Sequence, residues 1–144
     1  MSGHAQPLVS VLVPARNEEQ TLPTTLPGIL KAIRELPCPA EVLVITPPDS
    51  PAFMAPPVRD PILKWLPTPR PGKFNALRVG ADAAQGESLL LLDADVAVEP
   101  DTLWILADPL LNRSADVVAG RIDLERYSEP LTVHCERFAA CHYA

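Results

Sequence analysis

The stretch Gly86-Glu87-Ser88-Leu89-Leu90-Leu91-Leu92-Asp93-Ala94-Asp95 decides how this chain is read. Four consecutive leucines read as a short strand buried on both faces of a sheet. The run stops at two carboxylates one residue apart. Asp is a poor strand residue, so the pair marks the strand's carboxyl end, the edge where open α/β sheets bind ligands. Residues two apart on an extended chain point to the same side, so Asp93 and Asp95 can face one cation together. Oxygen ligands suit Mg²⁺ or Mn²⁺, and Mg²⁺ held by one or two carboxylates takes its other ligands from phosphates and water. The sharp expectation is a metal–diphosphate site. From D-x-D alone, an exposed turn with Asp at turn positions reads the same way.

Strands and helices alternate on either side of this stretch. Leu8 to Val13 is an apolar, β-branched first strand that ends in the polar turn Pro14-Ala15-Arg16-Asn17-Glu18-Glu19. Thr21 is a candidate helix cap with Pro23 in the first turn. Leu22, Leu26, Ile29, Leu30 and Ile33 then recur at helical spacing, and Pro27 is expected to kink or delay that helix. Glu41 to Thr46 is the second strand, followed by the proline-rich loop Pro47 to Pro51. Ile62 to Leu66 is a weaker third strand, and a rigid loop carries Arg70 and Lys73. Phe74 to Ala84 reads as a helix packed through Leu77, Gly80, Ala81 and Ala84. After the leucine strand, Pro100 is expected in the first turn of a helix whose stripe is Leu103, Leu106, Ala107 and Leu110, with Trp104 beside it. Asp116 to Ile122 reads as a further strand and Pro130 to Tyr143 as a final helix. The alternation implies an α/β domain, a mostly parallel sheet covered on both faces, occupying residues 1–144 as one unit.

The chain has 144 residues, 47% of them hydrophobic and only 5% aromatic, so its core is aliphatic. Its net charge of −6 offers no broad basic surface, which argues against nucleic acid or anionic membrane as a non-specific partner. Cys38, Cys135 and Cys141 cannot form a closed disulfide set, which points to a reducing compartment. No apolar run reaches the length of a membrane span, and Met1-Ser2-Gly3-His4 lacks a signal pattern. The expected location is cytoplasmic, with peripheral attachment to the inner face of the membrane left open. The 18 prolines cluster between Pro37 and Pro71, in loops between strands. His134, Cys135, Cys141 and His142 do not make a zinc site on a helix. The pairs His134 with Cys141 and Cys135 with His142 lie about 10 Å apart along the axis, too far to share a metal ligated at about 2 Å.

In a parallel sheet the loops after Val13, after Thr46 and around Asp93 converge at one edge. Arg70, Lys73 and Arg78 precede the Asp strand and are expected to neutralise phosphates there. At this point Val9-Ser10-Val11-Leu12-Val13-Pro14-Ala15-Arg16-Asn17-Glu18-Glu19 resembles the opening motif of family 2 glycosyltransferases. Gly72-Lys73-Phe74-Asn75-Ala76-Leu77, Gly86-Glu87 and Leu91-Leu92-Asp93-Ala94-Asp95 are similar to that family's central motifs, in the same order. The resemblance covers residues 8–122 and leaves 123–144 as a tail. It implies the GT-A fold, a Rossmann-like three-layer sandwich, here shortened, with a nucleotide-diphospho-sugar donor (a UDP- or GDP-sugar), an acceptor hydroxyl and Mn²⁺ or Mg²⁺.

Carried over residue by residue, Pro14, Ala15, Arg16 and Glu18 match the first nucleotide-contacting loop and Lys73 a basic residue near the donor. Asp95 matches the metal ligand, and Asp93 the carboxylate near the donor's ribose or sugar and beside the metal. Related chains end the second strand in an Asp-rich turn against the base. Here the turn is Thr46-Pro47-Pro48-Asp49-Ser50, with Asp49 as the displaced candidate. No acidic motif beyond Asp95 matches the family's catalytic base; Glu125, Glu129 and Glu136 are present but unaligned, and the acceptor-binding half is expected to be missing. The expected activity is inverting, metal-assisted sugar transfer. One alternative is a truncated, non-catalytic nucleotide-sugar binder or a subunit needing a partner. The other is a sugar nucleotidyltransferase, disfavoured because its Gly-rich first loop is here Pro-Ala-Arg-Asn-Glu. A shortened sheet also implies self-association at micromolar concentration, as a homo-oligomer.

Overall fold

A computed structural model describes residues 8–120. The elements alternate: β1 (Val9–Pro14), α1 (Leu22–Arg34), β2 (Ala40–Thr46), α2 (Pro51–Met54), β3 (Leu63–Pro67), α3 (Lys73–Ala83), β4 (Ser88–Leu91) and α4 (Thr102–Leu111). The four strands form one parallel sheet in the order β3-β2-β1-β4. The chain builds outward from β1 to β3, then returns across the sheet to place β4 on the other side of β1. That reversal puts a topological switch point between the carboxyl ends of β1 and β4.

Period-two alternation divides the strand residues between two cores. Val9, Val11 and Val13, with Val42, Val44, Leu90 and Leu92, pack against α1 and α4 through Leu22, Leu26, Ile29, Ile33, Leu103 and Ala107. Leu12, Leu43 and Ile45 pack on the opposite face against Ala76 of α3. Helices on both sides of the sheet make the three layers, with the larger core under α1 and α4.

Several expectations need correcting. Helix α1 runs unbroken through Pro27. The proline forfeits one hydrogen bond, to the carbonyl of Pro23, while six buried side chains hold the helix on the sheet. Pro100 lies before the cap Asp101 rather than in the first turn of α4, which instead contains Pro109 near its end. The proline-rich loop after β2 contains the short helix α2, whose cap Ser50 accepts a hydrogen bond from the Phe53 amide at 3.1 Å. Helix α3 packs through Gly80, Leu77 and Ala84 as expected, but Ala81 faces solvent and Ala76 is buried in its stead. Asp116 to Gly120 forms no strand, and Val117 is 85% exposed. The rest of that expected strand, the expected final helix and the His134–His142 cluster lie outside the described residues.

The largest correction concerns the leucine strand. Among the described residues β4 is an edge strand, buried on one face only: Leu90 packs inward, while Leu89 is 39% and Leu91 58% exposed. The reason is that α3 lies over β1 and β2 and does not reach across β4.

A buried polar group interrupts the α3 face near the amino ends of the strands. Glu41 of β2 is 4% exposed. Its Oε1 accepts from the Ser10 hydroxyl at 2.7 Å and from the Gln85 amide at 2.8 Å, and its Oε2 accepts from Lys64 Nζ at 2.8 Å. The Gly86 amide in turn donates to Ser10 Oγ at 2.9 Å. Burial pushes the Glu41 carboxyl up, but the Lys64 ammonium, the Gln85 amide and the Ser10 hydroxyl outweigh it and hold the pKa below the ordinary glutamate value.

A carboxyl depressed by folding contributes stability above its unfolded pKa, about 4.3, and loses it as pH falls through the lower folded value. Urea unfolding at pH values from 7 down to 3 is expected to show wild type losing more stability over the acid range than Glu41→Gln. Parallel curves would show that Glu41 gains nothing from ionisation in the fold.

Candidate functional site

The loops leaving β1 and β4 open onto one cleft of about 350 Å³ at the switch point, within the size range of small-ligand sites. Pro14, Ala15, Arg16 and Glu18 line it from the β1 side; Gly72, Lys73 and Ala76 from the start of α3; Asp93, Ala94 and Asp95 from the β4 side. The β1 loop is held in place where the Ala15 amide donates to the Ile45 carbonyl at 2.8 Å. Asn17 turns it with a φ of 60°, a left-handed conformation that Asn tolerates.

The two carboxylates follow β4 rather than end it. The Leu92 amide still bonds the Leu12 carbonyl at 3.0 Å, and the Val96 amide closes a turn on the Asp93 carbonyl at 3.2 Å. Alternation nevertheless persists through this turn. Leu92 and Ala94 are buried in the α1 and α4 core while Asp93 and Asp95 are exposed on the cleft side. Thr25 of α1 pins the turn from below, its hydroxyl donating to the Ala94 carbonyl at 2.7 Å. Thus the turn reading and the shared-face reading of D-x-D both hold.

Opposite the carboxylates, Gly72 caps α3 with a φ of 108°, a conformation that L-residues rarely adopt. Asn75 Nδ2 braces this turn by donating to the Pro71 carbonyl at 2.7 Å. The result aims the first turn of α3 at the cleft, with its unbonded amides and positive dipole end, and places Lys73 in an ion pair with Asp93. The cleft then carries three carboxylates (Glu18, Asp93, Asp95) against two cations (Arg16, Lys73). That balance repels a lone diphosphate. A divalent cation between Asp93 and Asp95 reverses it. No group of three or more His, Cys, Asp or Glu side chains is placed to hold a metal among the described residues. Two carboxylates in an open cleft fit a hard cation that completes its shell with phosphate and water, not a closed structural zinc site.

Seven of the eight site residues expected from sequence meet in this cleft: Pro14, Ala15, Arg16, Glu18, Lys73, Asp93 and Asp95. Asp49 does not line it and is exposed beside the cap of α2. Arg70 and Arg78 also fall elsewhere, in an adjoining hollow of about 240 Å³ with Asn75 and Asp82, where Arg78 approaches Asp82 at 4.0 Å. Sequence reasoning missed Thr68, which is buried between the two cavities with its hydroxyl on the Arg70 carbonyl at 2.9 Å. It also missed Thr25, whose role depends on a contact 69 residues along the chain.

The family model for glycosyl transferase family 2 matches residues 10–143. The chain belongs to that family. Among solved structures it is similar to the mannosyltransferase PcManGT from Pyrobaculum calidifontis in complex with GDP-Man and Mn²⁺, with a TM-score of 0.57 and 26% identity over 74% of this chain and 33% of that one. S. aureus TarS 1-349 in complex with UDP-GlcNAc gives a TM-score of 0.56 and 23% identity over 81% of this chain and 37% of that one. Glucosyl-3-phosphoglycerate synthase from Mycobacterium tuberculosis, in complex with Mn²⁺, UDP and glucosyl-3-phosphoglycerate, gives 0.52 and 24% over 73% and 40%. The family's GT-A fold is therefore that of this chain, which spans well under half the length of these neighbours. No curated protein gave a significant match. No helix among the described residues is long and apolar enough to cross a membrane.

Two substitutions separate backbone geometry from charge at this site. Gly72→Ala meets only the Asn75 side chain, at an ordinary contact distance of 3.7 Å, but forces a side chain into a disfavoured φ, and is expected to cost about 1–3 kcal/mol. Lys73→Met removes a largely exposed ion pair and is expected to stay within about 0.5 kcal/mol of wild type. Urea unfolding of both variants checks the contrast. A loss for Lys73→Met as large as that for Gly72→Ala would make the ion pair part of the fold rather than of the site.

Proposed function

We propose that this chain binds a nucleotide-diphospho-sugar in the cleft between β1 and β4 and forms the donor half of an inverting glycosyltransferase. The charge balance of the cleft carries the reading: paired carboxylates, a lysine ion-paired to one of them and a helix N-terminus line one space, which suits a cation and a diphosphate together. The family match supports it, as does the likeness to a mannosyltransferase structure holding GDP-Man and Mn²⁺.

Asp95 and Asp93 would hold the divalent cation. Bound there, Mn²⁺ or Mg²⁺ supplies Lewis-acid neutralisation of the diphosphate as it leaves. Lys73 and the first-turn amides of α3 add fixed positive charge for oxygens beyond the cation's reach. Arg16 orients the nucleotide against the backbone of Pro14 and Ala15, and Glu18 borders the same loop. Asp49, exposed and outside the cleft, contacts a base only if the ligand reaches past α2. In the transfer step an acceptor hydroxyl attacks the anomeric carbon from the face opposite the diphosphate and gives its proton to a general base. That base is not assigned to any residue of this chain.

A second reading rests on the cleft itself, none of whose carboxylates is assigned as the general base: a nucleotide-sugar binder that transfers nothing alone and completes its site with a partner. A sugar nucleotidyltransferase is disfavoured by the family match. Donor hydrolysis or transfer by the isolated chain separates the first two readings.

Calorimetric titration of UDP and of GDP, each with Mn²⁺ and with EDTA, tests the donor site. Binding is expected with Mn²⁺, and Asp95→Asn is expected to remove its metal-dependent part, about tenfold or more in affinity. Absence of binding to either nucleotide under every condition overturns the proposal.

A further inference from the structure

The four leucines that lead to the D-x-D turn do not specify their own pairing. Register is normally set by which residues of a strand are apolar, because a one-residue slip turns every side chain to the other face. Here a slip that puts Leu89 and Leu91 where Leu90 and Leu92 pack exchanges leucine for leucine, and only beyond the leucines, where Asp93 would replace the buried Ala94, does the sequence of this stretch oppose it. The same slip moves the following turn by one residue, about 3.3 Å, and turns Asp93 and Asp95 away from the cleft. Something outside the leucines must therefore select the observed pairing, Val9 with Ser88 through Leu12 with Leu91.

Two features at the start of β4 select it from the other end of the strand. The first is steric. A Cβ added to Gly86 would stand 2.6 Å from the Ser10 amide nitrogen and 2.7 Å from the Val9 carbonyl carbon. The connection from α3 thus lies directly on the backbone of β1, at a spot that accepts only glycine. Gly86 is the sole glycine between Ala81 and Asp95, so a slip in either direction brings Gln85 or Glu87, each with a Cβ, to that spot. The second is polar. Successive amides of this connection, Gln85 and Gly86, are received by Glu41 Oε1 and Ser10 Oγ, which are themselves joined at 2.7 Å. A slip would leave this buried pair without one of its donors, at the cost of an unsatisfied buried group. Lys64 closes the far side of Glu41, so the acceptor has nowhere to turn.

We infer that Gly86, Ser10 and Glu41 form a register key that pairs β4 with β1 and thereby positions the Asp93 and Asp95 carboxylates. Glu41 is a positioning residue, at the opposite end of the strands from the cleft. The structural part stands on the contacts above; its consequence for ligand binding rests on the proposed donor site.

The test reads register and binding separately. In wild type, the Leu92 amide bonds the Leu12 carbonyl and the Ser88 amide the Leu8 carbonyl, each at 3.0 Å, which gives assignable cross-strand NOEs in the full chain. Glu41→Ala and Ser10→Ala are expected to show these NOEs doubled or displaced by one residue, with the β1–β2 NOEs intact. Glu41→Gln, which keeps an oxygen acceptor, is expected to retain the native set. In the same variants, the Mn²⁺-dependent part of UDP or GDP affinity is expected to fall about tenfold where the NOEs change and to stay at the wild-type value in Glu41→Gln. If Glu41→Ala does not fold, Ser10→Ala, which removes a single hydroxyl, decides. Native NOEs alone in every folded variant overturn the key. So does loss of the native set in Glu41→Gln, because the effect would then follow charge rather than the hydrogen-bond acceptor. Should wild type bind no nucleotide, the donor-site reading fails and the NOEs still decide the key.

Discussion

The parallel pairing of β1 with β4 is the constraint on which the rest of the molecule depends. It joins the strand that begins the chain's outward path across the sheet to the strand that begins its return. Among the described residues that junction is where the strand order reverses, and a cleft opens there for physical rather than family reasons. Val11 and Val13 of β1 and Leu90 and Leu92 of β4 share one core under α1 and α4, so the walls of the cleft are anchored in a common apolar layer. The polar side chains at the cleft stand on that layer. Thr25, reaching from α1 to the Ala94 carbonyl, ties the D-x-D turn to the same helix that covers the core.

What was legible in the sequence were features carried by neighbours along the chain. Val9 to Val13 and Val42 to Ile45 are dense in β-branched residues, and such runs announce themselves. The 3.6-residue stripe of α1 was equally plain, and it overrode a proline at its sixth position, because burying Leu22, Leu26, Ile29 and Ile33 outweighs one lost hydrogen bond. The misreadings share a cause. Leu89 to Leu92 looked buried on both faces because composition reports apolarity, not which helix lies overhead. One position of the α3 stripe was misassigned, Ala81 for Ala76, because small residues are too common in that helix for periodicity to separate the two alanines. α2 was hidden because Pro47, Pro48 and Pro51 read as loop, although a proline at the first helical position after a serine cap is a regular way to start a helix.

The site was legible to a similar degree and for a similar reason. Asp93 and Asp95 fall on one side because alternation survives past the last paired residue, and Pro14 to Glu18 reach the same cleft because a parallel sheet gathers its loops at one edge. Asp49 did not follow, since the cap of α2 takes up the turn after β2 and leaves that carboxylate outside. Glu41 carried no signal, since one acidic residue at the start of an apolar strand reads as its exposed end. Its burial depends on Lys64, Ser10 and the Gln85 amide, three groups from three other parts of the chain. Contacts of that kind are fixed by the folded topology and leave no local pattern.

Charge is arranged on two scales that oppose each other. A net charge of −6 raises the cost of bringing an anionic ligand to this surface from a distance, and at physiological ionic strength that field decays over about 8 Å. Within the cleft the relevant charges are closer than that. Lys73, ion-paired with Asp93, and the first turn of α3 border the same space as Asp93 and Asp95, so a cation and a diphosphate entering together in place of that ion pair would meet a favourable partner on each side. Either one alone meets one favourable wall and one unfavourable wall. Selectivity for the pair over its parts thus follows from the spacing of two walls, which is set on one side by Gly72 and on the other by the register of β4. A displacement of β4 by a single residue would carry Asp93 to a place now filled by the buried Leu92 or Ala94 and leave the two walls mismatched.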